Sequence, residues 1–340
     1  MIDWLKFRIP WNAPNFDTTR IIVVEPDGTI SWEKQKPLEV RGSWETSLHV
    51  SACPVDGRLL IDGNPTKFFQ GHNLWGGDNP HPIVRHTLAY LVDVLKLEIP
   101  AETLDDVNHG QWELSRIDLA NMYSFGNLSR CRDALRTIEQ CGRMKRRVGG
   151  FVMSKGTAYS NKNSRRQSTK AYCKGDEITA PKHKLAGGLD QREKLIDYAN
   201  QSLRIEHVIR GMWLKDRLLH LGVNWHPSTA ANLYAELINK LELPEMIELT
   251  GDTLEGLSPR IQLAYDSWRG GKDLRALLPK ATFYRYRADL LEHGIDIAIK
   301  QPSEPSSNVV PLRVTLVGTP MGIPEWAHDT NAVWRPSKRA

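Results

Sequence analysis

Cysteine is scarce: four residues in 340 (Cys53, Cys131, Cys141 and Cys173), with no Cys-x-x-Cys pair and no zinc-like spacing. A disulfide framework and a structural zinc site are therefore not expected, and a reducing cytoplasm is the default compartment. Long apolar runs are missing as well. The stretch Leu88–Leu97 is interrupted by Asp93 and Lys96, well short of the roughly 20 apolar residues that a membrane span needs. Asp3, Lys6, Arg8 and Pro10 near the start spoil a signal-peptide core. Neither secretion nor membrane insertion is expected. Low-complexity tracts and long-period repeats are lacking too. The remaining lack is local: from Arg143 to Lys174 there are ten Lys or Arg and no Asp or Glu.

That basic run stands out against a net charge of only +5. An uncompensated excess of this density attracts phosphates, and nucleic acid is the partner it suits best. A second basic stretch, Arg260–Arg287, has seven cations against Asp266 and Asp273. Hydrophobic residues make up 40% and charged residues 25%, proportions of a folded, water-soluble chain.

Turn signals at Pro26-Asp27-Gly28, Arg41-Gly42, Val55-Asp56-Gly57 and Asp62-Gly63-Asn64 divide residues 2–75 into short runs that predict an antiparallel meander. Helical spacing follows over 82–97, a strand over 112–120, and a helix over 128–141. A basic hairpin is expected from 151–160 and 167–174, a helix over 190–199 and a strand over 201–209. After Gly211 the segments 212–220, 228–241, 244–250, 258–269 and 272–293 are helix-compatible. The fold class expected is α+β: an antiparallel sheet with helices, then a mainly helical C-terminal domain. The expected divisions are an α+β domain over 1–210, a helical domain over 211–300, and a loosely ordered tail over 301–340, rich in Pro and Ser at its start.

Two strands carry one short phrase, Ser115-Arg116-Ile117-Asp118-Leu119 and Leu203-Arg204-Ile205-Glu206-His207. Alternation puts Arg116 with Asp118, and Arg204 with Glu206, on one face of each strand. If the strands are neighbours, Asp118 and Glu206 form a carboxylate pair suited to Mg²⁺ or Mn²⁺. His72, in Gln70-Gly71-His72-Asn73, is a candidate nitrogen ligand to the same ion. In Thr169–Lys174, alternation groups Lys170, Tyr172 and Lys174. A phenol between two ammonium groups is a candidate nucleophile toward a phosphodiester, with the cations stabilising its ionised form. Leu274–Leu278 and Phe283–His293, joined at Pro279, suggest a helix-turn-helix in which Arg285 and Arg287 reach DNA.

These phrases, in this order, resemble the replication initiation proteins of filamentous phages, the gene II and gene X proteins. The matching residues are Met1-Ile2-Asp3, Gln70–Asn73, Ser115–Asp118, Ser164-Arg165-Arg166 leading to Ala171-Tyr172-Cys173-Lys174, and Leu203–Glu206. They span about residues 1–220. Leu278–Arg287, followed by Gly294-Ile295-Asp296, is similar to the C-terminal part of related phage proteins. The resemblance implies a relaxase-like, rolling-circle nickase that cuts the plus-strand origin of the double-stranded replicative DNA. It places the nucleophile on Tyr172 by the Ala-Tyr-x-Lys match, linked to a 5′-phosphate, with the free 3′-OH priming a host polymerase before the displaced strand is rejoined. It also implies a divalent ion, although the His-hydrophobic-His pair of related nickases is absent. Arg146, Arg147, Arg165 and Arg166 are expected to hold phosphates. Tyr159 is a second tyrosine available for strand transfer. A host helicase is a possible further partner, and the cytoplasm of a bacterial host the expected location. The alternative is a DNA-binding regulator that lacks the chemistry.

Overall fold

In Ile2–Asn12, buried Leu5, Phe7 and Ile9 alternate with the more exposed Lys6 and Arg8, so one side of this strand is apolar and the other charged. The computed structural model describes residues 1–14, 16, 19–52, 57–145, 150–181, 183–242, 257–269, 272–291, 296–298 and 320–336. The first half supplies strands β1 (Ile2–Asn12), β2 (Arg20–Val24), β3 (Ile30–Gln35), β4 (Leu38–Arg41), β5 (Ser47–Ala52), β6 (Arg58–Gly63) and β7 (Glu113–Ser124). The rest are β8 (Arg143–Met144), β9 (Val152–Ser154), β10 (Thr157–Ser160), β11 (Gln167–Cys173), β12 (Ser202–Arg210), β13 (Leu241–Glu242) and β14 (Pro320–Met321). The main sheet runs β4-β5-β6-β1-β7-β12-β11-β10-β9, every pairing antiparallel. β14 pairs with Met122 and Tyr123 of β7, beyond the end of β1. The 112–120, 167–174 and 201–209 strands are thus where the sequence placed them. The meander expected over 2–75 is formed only in part: β4, β5 and β6 follow one another, whereas β2 and β3 make a separate hairpin and β1 lies between β6 and β7.

Among the described residues eight α-helices accompany the sheet: α1 (Pro65–Gln70), α2 (Pro80–Leu95), α3 (Ala101–Asn108), α4 (Leu128–Cys141), α5 (Lys174–Thr179), α6 (Arg192–Asn200), α7 (Gly211–Asp216) and α8 (Thr229–Ile238). Asparagine side chains cap three of them: Asn64, Asn79 and Asn127 each accept from a backbone N–H of the first turn. The apolar sides of α2, α4 and α8 share one core with Leu5, Ile117, Leu203 and Ile205 of the sheet. Trp213, Leu214 and Leu237 belong to that same core, so the expected boundary at 210 falls inside one folded unit. A separate cluster around Tyr265, Phe283 and Leu290 unites the later helices Pro259–Arg269, Leu274–Leu277 and Lys280–Leu291. The helix expected over 244–250 lies outside the described residues.

The tail departs from expectation. Residues 320–336 form a packed strap across the other face of the sheet. Met321, Ala327 and Ala332 join a cluster with Trp75, Met122, Leu195 and Tyr198. The Ala332 carbonyl accepts from Trp75 Nε1 and from His72 Nε2, each at 2.9 Å, and Trp334 stacks on Phe69. Proline there limits helix and strand but not burial, and the aromatic side chains supply the apolar surface that holds the strap down. Residues 299–319 lie outside the described residues.

Candidate functional site

The site is written on the charged face of β1, β7, β12 and β11. Register sets Lys170 opposite Glu206 and Tyr172 opposite Arg204. β7 brings Asp118 opposite Val208, one step diagonally from Glu206. A register shift in β1 between Ile2 and Trp4 turns Asp3 onto this face, where it meets Arg204. The extra carboxylate is not readable from alternation, since a bulge breaks the period of two.

Ion pairs then follow almost without gaps. Lys170 Nζ is 2.6 Å from Glu206 Oε1, and Arg204 Nη2 is 2.8 Å from Asp3 Oδ1. Arg116 holds Asp118 with two bonds, at 2.8 and 2.6 Å. Lys174 Nζ reaches Glu177 at 2.5 Å and donates to Asn73 Oδ1 at 2.7 Å. Asn73 in turn donates to Asp3 and accepts from Arg204 through its carbonyl. Gly71 makes this loop possible. Its φ is +83°, and a side chain there would collide with Leu189 and Trp44.

Tyr172 sits in the middle. Its hydroxyl donates to Glu206 Oε2 at 3.3 Å, and the ammonium groups of Lys170 and Lys174 lie 6.0 and 5.9 Å from its ring centre. The cluster expected from alternation is therefore assembled. Its electrostatics are reversed, however. Burial, joined by the charges of Glu206, Glu177 and Asp3, pushes the phenol well above its ordinary value of 10, against the pull of Arg204. In this state Tyr172 is a neutral hydrogen-bond donor, and the expected cationic stabilisation of its ionised form is outweighed.

The carboxylates differ among themselves. Burial alone would raise Asp3, but Arg204, Lys174 and Lys170 overcome it and hold the group at about 2. At Asp118 burial wins: with the nearby charge of Glu206 it lifts the carboxyl to about 7 despite Arg116. Asp118 and Glu206, the carboxylates expected to hold a hard ion, lie on neighbouring strands and are engaged by Arg116 and by Lys170 and Tyr172 respectively. His72 does not join them. It is buried and depressed to about 3, chiefly by desolvation. One ring nitrogen faces the Ala332 carbonyl and the other accepts from the Leu74 N–H. Among the described residues no group of three His, Cys, Asp or Glu side chains is placed to hold a metal.

Exposure is graded across the face. Arg204, Asp118 and Glu206 are buried, Tyr172 is 7% exposed, and the side chains of Lys170 and Arg116 are 26% and 34% exposed. The covered half lies toward the strap, loop 70–76 and α5, and the open half toward Arg116 and Arg210. Arg165 and Arg166 are exposed on the loop before β11, with Arg166 paired to Asp216. Tyr159 is partly exposed opposite Lys170, under Lys162 Nζ at 4.5 Å. Arg146 and Arg147 lie outside the described residues. Arg285 is exposed, and Arg287 is paired with Asp296 by two bonds of 2.6 and 2.7 Å. The two helices expected as a helix-turn-helix are present, the first only four residues long.

An antiparallel sheet with a cation-lined face, a buried phenol and a carboxylate pair defines a class of protein suited to gripping a polyanionic backbone. Comparison with known proteins makes this particular. The N-terminal model of the phage replication-associated protein family, that of the gene II protein, matches residues 1–228, and the C-terminal model of the same family matches residues 259–333. The chain is 34% identical over 332 residues to the replication-associated gene II protein of Enterobacteria phage I2-2, covering 95% of each. It belongs to the gene II family of replication-associated proteins. A solved rolling circle replication initiator protein from Geobacillus stearothermophilus aligns with 74% of this chain and 89% of its own, at a TM-score of 0.33 and 14% identity.

Proposed function

We propose that the protein initiates rolling-circle replication of phage DNA by cutting one strand at an origin and later rejoining it. Family membership supports replication initiation, and the Tyr172–Glu206 hydrogen bond beside Lys170 is the observation that carries the chemistry. In the cutting step a bond forms between Tyr172 Oη and the scissile phosphorus. The phenolic proton passes to Glu206 Oε2, the bond to the 3′ oxygen breaks, and that oxygen leaves and takes a proton from solvent water. The phosphodiester is conserved as a tyrosine–5′-phosphate, so rejoining needs no external energy source. Lys170 and Lys174 stabilise charge around the phosphate, and Arg165 and Arg166 hold the flanking backbone.

Mg²⁺ or Mn²⁺ belongs to this reading, with Asp118 and Glu206 as its protein oxygens. When bound, such an ion would supply Lewis-acid stabilisation of charge on the phosphate. DNA is the partner; recruitment of a host polymerase or helicase, and action in the host cytoplasm, complete the proposal. Among the described residues no helix is long and apolar enough to cross a membrane.

Supercoiled origin plasmid, incubated with protein and Mg²⁺ or Mn²⁺, tests it. The wild type gives open circles and a protease-sensitive 5′ adduct, and Tyr172→Phe binds the same DNA and gives neither. Nicking by Tyr172→Phe at the wild-type rate removes Tyr172 as nucleophile. Binding without nicking by the wild type leaves a DNA-binding regulator instead.

A further inference from the structure

The open half of the charged face ends in a cavity of about 200 Å³ where β1 and β7 meet the start of α7. Arg8, Ser115, Lys215 and His220 line it. The register shift in β7 between the residues facing Lys6 and Phe7 brings Ser115 to the same side as Arg116. Arg8 Nε and His220 Nδ1 are buried, and among the described residues neither has a hydrogen-bond partner. Buried polar atoms without partners are costly and uncommon in a folded protein. Glu113 also borders the cavity, but Arg58 engages its carboxylate at 2.7 Å. Two cationic side chains and an imidazole thus surround one small space beside Ser115, whose hydroxyl donates to the Lys6 carbonyl at 3.3 Å, with the acid tied to another partner.

The charge around this cavity is continuous with the candidate site. Arg210 lies opposite Arg116 in the register, and Lys6 and Arg8 follow along β1. Burial, and then the neighbouring Arg116, hold Arg210 below its ordinary value. Of these cations Lys6 pairs with Asp62 and Arg116 with Asp118, so Arg8 and Arg210 carry the charge that no carboxylate engages among the described residues. At about 3.3 Å per residue, Ser115 and Glu113 stand roughly 10–17 Å along β7 from Asp118, a span of a few nucleotides.

We propose that this cavity seats one backbone phosphate of the DNA strand whose scissile phosphate meets Tyr172. The seat fixes register along the strand and makes no base contact. This rests on the DNA-cutting function proposed above, so its test reads binding alone and needs no nicking.

The test uses the full chain, a short labelled single-stranded oligonucleotide, and fluorescence anisotropy across a salt series. In Arg8→Gln/Lys215→Gln, binding weakens several-fold at low salt. Loss of one phosphate contact flattens the slope of log affinity against log salt by about 0.7. A scan with single methylphosphonate linkages shows one position whose neutralisation weakens the wild type but not the double variant. A double variant with unchanged slope, or a scan with no such position, overturns the proposal. So does an unchanged slope together with thermal stabilisation of the wild type alone by inorganic phosphate, which assigns the cavity to a free anion. A protein that fails to nick plasmid, yet gives the expected slope and scan, refutes the cutting reaction and leaves the seat in place.

Discussion

Glu206 has three partners that compete for its charge: Lys170 pairs with one oxygen, and the Tyr172 hydroxyl donates to the other, which Arg204 Nε also faces at 3.6 Å. Removing its ability to accept a proton while keeping its shape isolates that role. Glu206→Gln is expected to bind DNA normally and to nick about 10²- to 10⁴-fold more slowly, the usual span for a general base. Single-turnover rates check this, and a loss under about tenfold takes the proton away from Glu206. Asp3 answers to a different logic. Its partner Arg204 is wholly buried, so Asp3→Ala strands a charge and costs about 3–5 kcal/mol in urea unfolding. A cost under about 1 kcal/mol would mean that Asn73 and Glu206 together keep Arg204 satisfied. Asp118 sets a pH dependence. Its folded value of about 7 exceeds the ordinary 3.8, so the folded chain binds the extra proton between those limits. This contribution to stability is therefore present at low pH and lost as pH rises from about 4 through 7. Asp3 has the opposite sign: held at about 2, it stabilises above 3.8 and loses that contribution as pH falls through 2. Asp118→Asn removes the first dependence, so metal-free variant and wild type should diverge in thermal midpoint as pH rises, in favour of the variant. Parallel midpoints from about pH 4 to 8 would show that Arg116 keeps Asp118 ionised throughout.

At the scale of elements, loop 70–76 and α5 form the lid over Tyr172, and Asn73 is its hinge pin. The Asn73 side chain bonds both Lys174 and Asp3. Asn73→Ala leaves two buried charges short of a partner each, at roughly 1.5–3 kcal/mol per bond to a charged group. The expected result is a stability loss of about 3 kcal/mol and faster chemical nitration of Tyr172; an unchanged nitration rate would show that the lid does not depend on Asn73. The strands beneath are largely legible in the sequence. Arg116-Ile117-Asp118 and Arg204-Ile205-Glu206 alternate cleanly, so their faces can be assigned before their neighbours are known. Asp3 and Ser115 cannot be assigned, because bulges reset the alternation at both. The lid is out of reach for another reason: Gln70–Asn73 is recognisable as a motif, but pattern does not reveal that a loop folds back over a strand distant in the chain. Nor does strand periodicity show how deeply a tyrosine is covered, which is why alternation alone points the Tyr172 shift in the wrong direction. His72 looks like a ligand because histidine often is one, and only tertiary packing reveals that both its nitrogens are engaged.

Across the whole molecule, the chain closes on itself. The strap 320–336 adds β14 to β7, and its Ala332 carbonyl receives two donors from loop 70–76. Prolines and polar residues make this segment look loose in sequence, whereas Trp326, Ala327 and Trp334 fasten it to a distant surface. Truncation after residue 319 should lower the thermal midpoint and speed amide exchange in residues 70–76 more than elsewhere. Exchange left unchanged there would separate the strap from the lid. Helices α7 and α8 likewise belong to the sheet's core, so a fragment cut at residue 210 loses Trp213, Leu214 and Leu237 from that core. The central claim is that one phenol, beside Glu206 and beneath a cation-lined face, takes the DNA in covalent linkage. Its most direct test is to trap the covalent protein–DNA adduct formed on origin DNA, digest it, and identify the modified residue by mass spectrometry. The account predicts a nucleotide 5′-phosphate on the peptide containing Tyr172; an adduct on Tyr159, or on any other residue with Tyr172 unmodified, would contradict it.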